Sequence, residues 1–215
     1  MPLRWLSQNW GLTLELLVDH VLLAGAAILA ATLIAIPLGR LAATRPRSGG
    51  ALLVALSLIY AIPSLPLLVI VPVIVGIPVR SGLNMVIVLT LYGVAVLVAQ
   101  VAEAFRGLPR EVMLAADAVG VGRWRRFWGV ELPLAVPVLV AGLRVVSAST
   151  VSLVTVGALV GVRSLGFLFT DGFQRRIVEE QVVGVVATLL LALVLDLLLV
   201  GLGRLLTPWA RRAAA

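Results

Sequence analysis

The sequence predicts an all-α integral membrane protein of about five transmembrane helices, with the N-terminus outside and the C-terminus in the cytoplasm. Three observations carry that expectation. Of 215 residues, 61% are hydrophobic and 13% charged, and the mean hydropathy is +1.15. Soluble domains run nearer a quarter charged, and a soluble chain of this length has no core able to hide so much apolar surface. Charge-free windows of about 20 residues recur, the length that crosses a ~30 Å hydrocarbon core at ~1.5 Å per residue. Finally, arginine is divided unevenly among the segments between those windows.

Residues 1–18 mix polar and apolar side chains around Trp5 and Trp10 and read as an interfacial amphipathic helix. The first span covers about 19–40, between Asp19 and Arg40. The second, about 50–78, is free of charge from Arg47 to Arg80 but contains Pro63, Pro66, Pro72 and Pro78. It is expected to be a helix to about residue 62, followed by a kinked or re-entrant stretch. The third span covers about 81–104, a polar segment follows over 105–133, and the fourth span covers 134–158. A polar stretch with one short helix fills 159–180, and 181–206 is the fifth span, so that 1–215 forms one transmembrane domain.

With the N-terminus outside, Arg40, Arg45, Arg47, Arg106, Arg110, Arg123, Arg125, Arg126, Arg204, Arg211 and Arg212 face the cytoplasm. Only Arg4, Arg80, Arg163, Arg175 and Arg176 remain outside, which fixes the expected orientation by the positive-inside rule. The segment 105–133 is then cytoplasmic.

Composition also excludes chemistry. All 17 basic residues are arginine, so a phosphate-gripping G-x-x-x-x-G-K-[ST] loop is impossible. His20, the single histidine, directly follows Asp19; neighbours in a helix face different directions, which rules against a Ser-His-Asp arrangement. There is no cysteine, and one histidine makes a zinc site improbable. No catalytic, cofactor-binding or metal site is expected, and the chain does not read as an enzyme. The arginines are scattered between apolar runs rather than gathered in a stripe, a pattern for lipid headgroups and not for nucleic acid.

The polar segment has internal order. "LPREVMLAADAVGVG" starts a helix after Pro109 with Glu111 in its first turn and stops it at Gly120 and Gly122. "RWRRFWGVELPL" reads as a second short helix leading to Pro133, with Trp124 and Trp128 on one face and Arg123 and Arg126 reaching for headgroups. Two helices bent at glycines and joined to spans on both sides suit the transfer of force from a soluble partner.

Ala115-Ala116, three residues, Gly120, nine residues, Val130, one residue, then Leu132-Pro133 resembles the EAA loop of ABC-importer permeases. That motif has Glu where this chain has Leu114; Glu111, one turn earlier, is a possible substitute. "LLVDHVLLAGAAILAATLIAIPLG", "YAIPSLPLL", "VGALVGVRSLGFLFTDGF" and "LLLALVLDLLL" are similar to further stretches of osmoprotectant permeases, so the likeness extends over most of the chain.

The resemblance implies a methionine-permease-like fold and a multi-pass subunit of the bacterial plasma membrane. Its partners would be ABC ATPase subunits that bind ATP, a second permease copy or a sister permease, and an extracytoplasmic substrate-binding protein. In it, 105–133 is a coupling loop that docks on the ATPase through Leu114, Ala115, Ala116, Gly120, Val130, Leu132 and Pro133. The implied cargo is a quaternary amine such as glycine betaine, choline or carnitine, with methionine or another amino acid as the alternative. A self-sufficient secondary transporter would need broken helices in both halves, and the proline-broken second span has no later counterpart.

Ionisable residues inside a bilayer are costly unless paired or wet. Arg144 and Asp196 each lie about ten residues from the cytoplasmic end of their spans, near the midplane, so equal depth and opposite sign predict a pair or a wet cavity. Ser149, Ser152 and Thr155 recur every three residues, as close helix packing or as a pathway lining. Tyr60 and Tyr92 are the tyrosines available to the spans for holding a quaternary ammonium, so a high-affinity site is not expected there.

Overall fold

The computed structural model describes residues 2–209, all of whose regular structure is helical; Arg211 and Arg212 of the topology count lie outside the described residues. In chain order the helices are α1 (Pro2–Gln8), α2 (Trp10–Thr44), α3 (Pro46–Ala61), α4 (Ser64–Val75), α5 (Gly82–Arg106), α6 (Arg110–Ala118), α7 (Arg123–Arg126), α8 (Leu132–Val156), α9 (Gly166–Gln174) and α10 (Val178–Leu206). A π turn over Phe127–Glu131 joins α7 to α8, and a 3₁₀ turn over Gly157–Val160 follows α8. Among the described residues, four helical stretches are long and apolar enough to cross a membrane, and the number is five if α3 and α4, bent by 107° at their junction, are counted as one broken span.

α5 is the most enclosed span, packed against α2, α3, α4 and α8. Its closest neighbour is α2, whose inward stripe is made of small residues: Ala24, Ala27, Ala31, Ala35, Gly39 and Ala42. Three- and four-residue spacing keeps them on one face, and their size lets two backbones come close enough for dense dispersion contact where lipid supplies no hydrophobic drive. At Gly93 of α5 a Cβ would come within 2.7 Å of Ala31 Cβ. The core fills above and below that crossing, with Leu68, Met85, Val88 and Leu165 in one cluster and Leu97, Val98, Val101 and Val146 in the other.

The bend between α3 and α4 follows from proline chemistry. Pro63 forces Ile62 into an extended conformation (φ −69°, ψ 128°) and ends α3. Pro66 then has no N–H for the Ile62 carbonyl four residues back, and Pro72 leaves the Leu68 carbonyl orphaned in the same way. Both are rescued from α5. The Tyr92 hydroxyl donates to Ile62 O, and Asn84 Nδ2 donates to Leu68 O at 2.9 Å and to Val79 O at 2.9 Å. The broken segment is thereby bolted to the central span.

Near the N-terminus the helix of residues 1–18 divides. α1 ends at Gln8, where Asn9 folds back and its N–H and Nδ2 donate to Trp5 O at 3.0 and 2.9 Å. Residues 10–18 instead begin α2, with Thr13 and Leu16 buried. The acids that mark this stretch as polar are met from a distant loop, Arg163 lying 2.8 Å from Glu15 and 3.6 Å from Asp19. Asp19 thus points outward, while His20 is fully buried with Nε2 donating to Val151 O at 3.1 Å.

Candidate functional site

The segment 105–133 is built in three steps. Arg106 ends α5 and donates from Nη2 to Ala42 O at 3.0 Å, fixing the start of the segment to the end of α2. α6 then runs to Ala118 and closes on Gly120, which has φ +72°. The Val121 N–H bonds to Ala116 O and the Gly120 N–H to Asp117 O, both at 3.0 Å, the paired bonds of a Schellman cap. A side chain in that left-handed conformation costs about 1–2 kcal/mol.

Gly120→Ala should therefore lower thermal stability in detergent by about 2–8 °C, through backbone strain alone because an added Cβ meets open space. Gly129→Ala is the control: it also faces open space but has no positive φ, and it should cost nothing.

The second half of the segment differs from expectation. No separate short helix stops at Pro133; α7 passes through the π turn into α8 as one rod, with Pro133 at the second position of α8. The proline ring cannot face a carbonyl four residues back, and the wider turn, in which the Leu132 N–H reaches back to Phe127 O, carries the helix past it. Arg126 is also not free for headgroups. It donates from Nη1 to Asp117 on α6 and from Nε to Glu131 Oε1 at 2.9 Å. The other Glu131 oxygen accepts from Arg40 Nε of α2 at 2.8 Å, and the Arg40 guanidinium carbon lies 4.6 Å from the Phe127 ring centre.

Glu131, only 7% exposed, is thus the knot joining α2, α6 and α7 to the start of α8. Sequence reasoning passed over it, since the motif leaves that position unspecified. A carboxylate among "WGV" and "LPL" was the available signal.

The motif residues divide by exposure. Ala116 is buried, Val130, Leu132 and Pro133 are half-buried, and Ala115 and Gly120 are exposed. Leu114 is 58% exposed, together with Val119 at 78% and Trp124 at 75%. Trp124 touches Trp128 edge-on, with ring centres 5.6 Å apart. The result is an apolar, tryptophan-rimmed face held on a charge-paired frame.

Midway along its span, Arg144 stands at the centre of α8, twelve residues after Leu132 and twelve before Val156. It grips Asp196 of α10 with both arms, Nε to Oδ1 at 2.6 Å and Nη2 to Oδ2 at 2.8 Å. The side chains are 44% and 33% exposed, so the pair lies on the outside of this single chain. Ser152 is exposed on the same helix, Ser149 and Thr155 are half-buried, and each of these last two hydroxyls donates to a carbonyl three residues back. Tyr60 is 51% exposed and stacks edge-on against Tyr92 at 5.7 Å.

The helices and the charge-paired segment between α5 and α8 have the architecture of a multi-span membrane subunit. The model of the family described as binding-protein-dependent transport system inner membrane component matches residues 35–212, and the chain belongs to that family. It is 29% identical to the osmoprotectant import permease protein OsmW of Salmonella typhimurium, over 96% of this chain and 97% of that one. It is also 29% identical to the glycine betaine/carnitine/choline transport system permease protein OpuCD of Bacillus subtilis, over 94% of this chain and 87% of the relative. Among solved structures, the MetNI methionine ABC transporter in an inward-facing conformation superposes with a TM-score of 0.82 at 21% identity, covering 93% of this chain and 98% of that one. The chain is therefore a multi-pass permease subunit of an ABC importer.

Proposed function

We propose that this permease takes up an osmoprotectant quaternary amine, of the kind named for its relatives, from an extracytoplasmic binding protein. It does so as one of two permease subunits, a second copy or a sister chain, driven by two ATPase subunits. The exposed apolar face of α6 and α7 docks on the ATPase, with Leu114, Ala115, Gly120 and Trp124 outermost. ATP is bound by that partner and this chain holds no cofactor. Arginine bias supports the orientation, with the N-terminus outside and the loop in the cytoplasm.

The observation that carries the reading is the pairing of motif spacing with rigidity. The Arg40–Glu131–Arg126–Asp117 network ties the docking face to both α2 and α8, so a push on the loop is delivered to two spans at once. Closure of the ATPases then shifts the spans between two states of access. Arg144, Asp196, Ser152 and Thr155 on the outer side of α8 and α10 would face the second permease across the path.

Methionine is the second reading, favoured by the likeness of fold to MetNI. Reconstitution into liposomes with the cognate ATPase and binding protein decides between them. ATP-dependent uptake of glycine betaine or choline is expected; uptake of methionine alone would overturn the substrate. Purified permease that brings down no ATPase would overturn the subunit role.

A further inference from the structure

On the outside of the bundle, α1, the first turns of α2 and the first half of α10 enclose a groove of about 440 Å³. Leu3 and Leu6 of α1, Leu17 of α2, and Val186, Leu190 and Val194 of α10 are in its walls. The one hydroxyl among the lining side chains, that of Thr13, is taken up by Asn9 O at 3.0 Å. Nothing in the walls is left to hold a polar solute, so the occupant must be a hydrocarbon.

Its direction and length identify which. The mouth lies under α1, at the end of the bundle remote from the loop, where Trp10 is 60% exposed. Exposed tryptophan on a span marks the level of the headgroups. From there the wall on α10 runs from Val182 to Val194, two residues short of the mid-span Asp196. Those twelve residues cover ~18 Å at ~1.5 Å each, against ~15 Å for half of a hydrocarbon core. The groove thus has the reach of one acyl chain in one leaflet. Lipid gives such a chain no hydrophobic drive toward the groove, but a void there would forfeit the dispersion contacts of its whole lining.

Two further observations favour a lipid over a second permease. At the depth of the charge pair the groove is walled by Leu190, Leu191 and Val194, and Asp196 is turned about 160° from Val194 round the helix. The groove therefore opens on a different side of α10 from the Arg144–Asp196 pair and is continuous with the lipid-facing surface. Charge complements it at the mouth: Arg4, next to Leu3 on α1, is exposed and joins no ion pair among the described residues.

We propose that the groove holds one acyl chain of a membrane phospholipid, whose phosphate sits on Arg4. The lipid fills the space between α1 and α10 and fastens the interfacial helix to the last span. It is a resident of the subunit, independent of the cargo.

Full-length permease purified from membranes in maltoside detergent is to be weighed by native mass spectrometry. One retained phospholipid per chain is expected. Val186→Trp, which puts an indole into the groove, should lower retention about tenfold. Leu189→Trp, on the same helix, 64% exposed and outside the groove, should leave it unchanged. Arg4→Gln should lower it several-fold, and Arg176→Gln, an exposed arginine of the turn between α9 and α10, should not. All four positions are exposed, and gel filtration confirms that the variants are intact. Because the chain has no cysteine, Val186→Cys supplies a single thiol, which should stay monomeric on oxidation. A disulfide-linked pair would place a second permease on the groove and overturn the proposal. So would the absence of retained phospholipid, equal retention in Val186→Trp and Leu189→Trp, or equal loss in the two arginine variants.

Discussion

Reversing either Arg144 or Asp196 alone should lower ATP-driven uptake by at least about tenfold, and the exchange Arg144→Asp with Asp196→Arg should restore much of it. The two side chains meet mid-span through two short charge-assisted bonds of 2.6 and 2.8 Å, a bidentate geometry that satisfies both groups together. A single reversal places two like charges where neither headgroups nor bulk water reach by chain length. It should also reduce the amount of folded protein in the membrane, so uptake is to be normalised to folded permease. Alanine variants add a second comparison: if the pair only holds α8 to α10, an apolar pair at both positions should transport nearly as well as wild type. A swap as inactive as either single reversal would show that the residues act separately, each facing the path.

This pair was legible in the sequence because depth along a helix and sign of charge are both linear properties. So were the long apolar helices, the proline break between α3 and α4 and the glycine end of α6. Illegible were contacts that depend on which distant residue arrives. Glu131 and Arg40 are 91 residues apart, and nothing in either neighbourhood names the other. Residues 10–18 join α2 with Thr13 and Leu16 buried, and the Arg163 that meets Glu15 comes from 148 residues away. In the sequence Tyr92 stands out only beside Tyr60 as a tyrosine of the spans, and Asn84 belongs to no motif. Their purpose, donating to carbonyls that Pro66 and Pro72 leave bare, needs α4 folded against α5. The small-residue stripe of α2 lay in plain view as Ala24, Ala27, Ala31 and Ala35, but alanine reads as generic apolar filling until the partner helix is placed.

Glu131→Ala should uncouple the loop without removing its docking face. The substitution deletes the carboxylate shared by Arg40 and Arg126, leaving two partly buried guanidiniums without it at a cost of about 2–3 kcal/mol. For a chain of this size that is a fall of roughly 4–12 °C in melting temperature. Arg126 keeps Asp117 and so holds α6 to α7, but α2 loses its charged tie to the second half of the segment, where the stacking of Arg40 on Phe127 remains, while the Arg106 bond to Ala42 O still holds the start of the segment. The ATPase should still copurify, since Leu114, Val119 and Trp124 are untouched, while substrate moved per ATP hydrolysed drops several-fold. Glu131→Gln keeps one acceptor oxygen and should fall between wild type and alanine on both measures. Leu114→Glu should behave in the opposite way, changing ATPase retention while the melting temperature stays within about 1 °C, because that side chain is 58% exposed on the outer face of α6. Transport coupling and melting temperature both at wild-type values in Glu131→Ala would show that the loop transmits force through α8 alone.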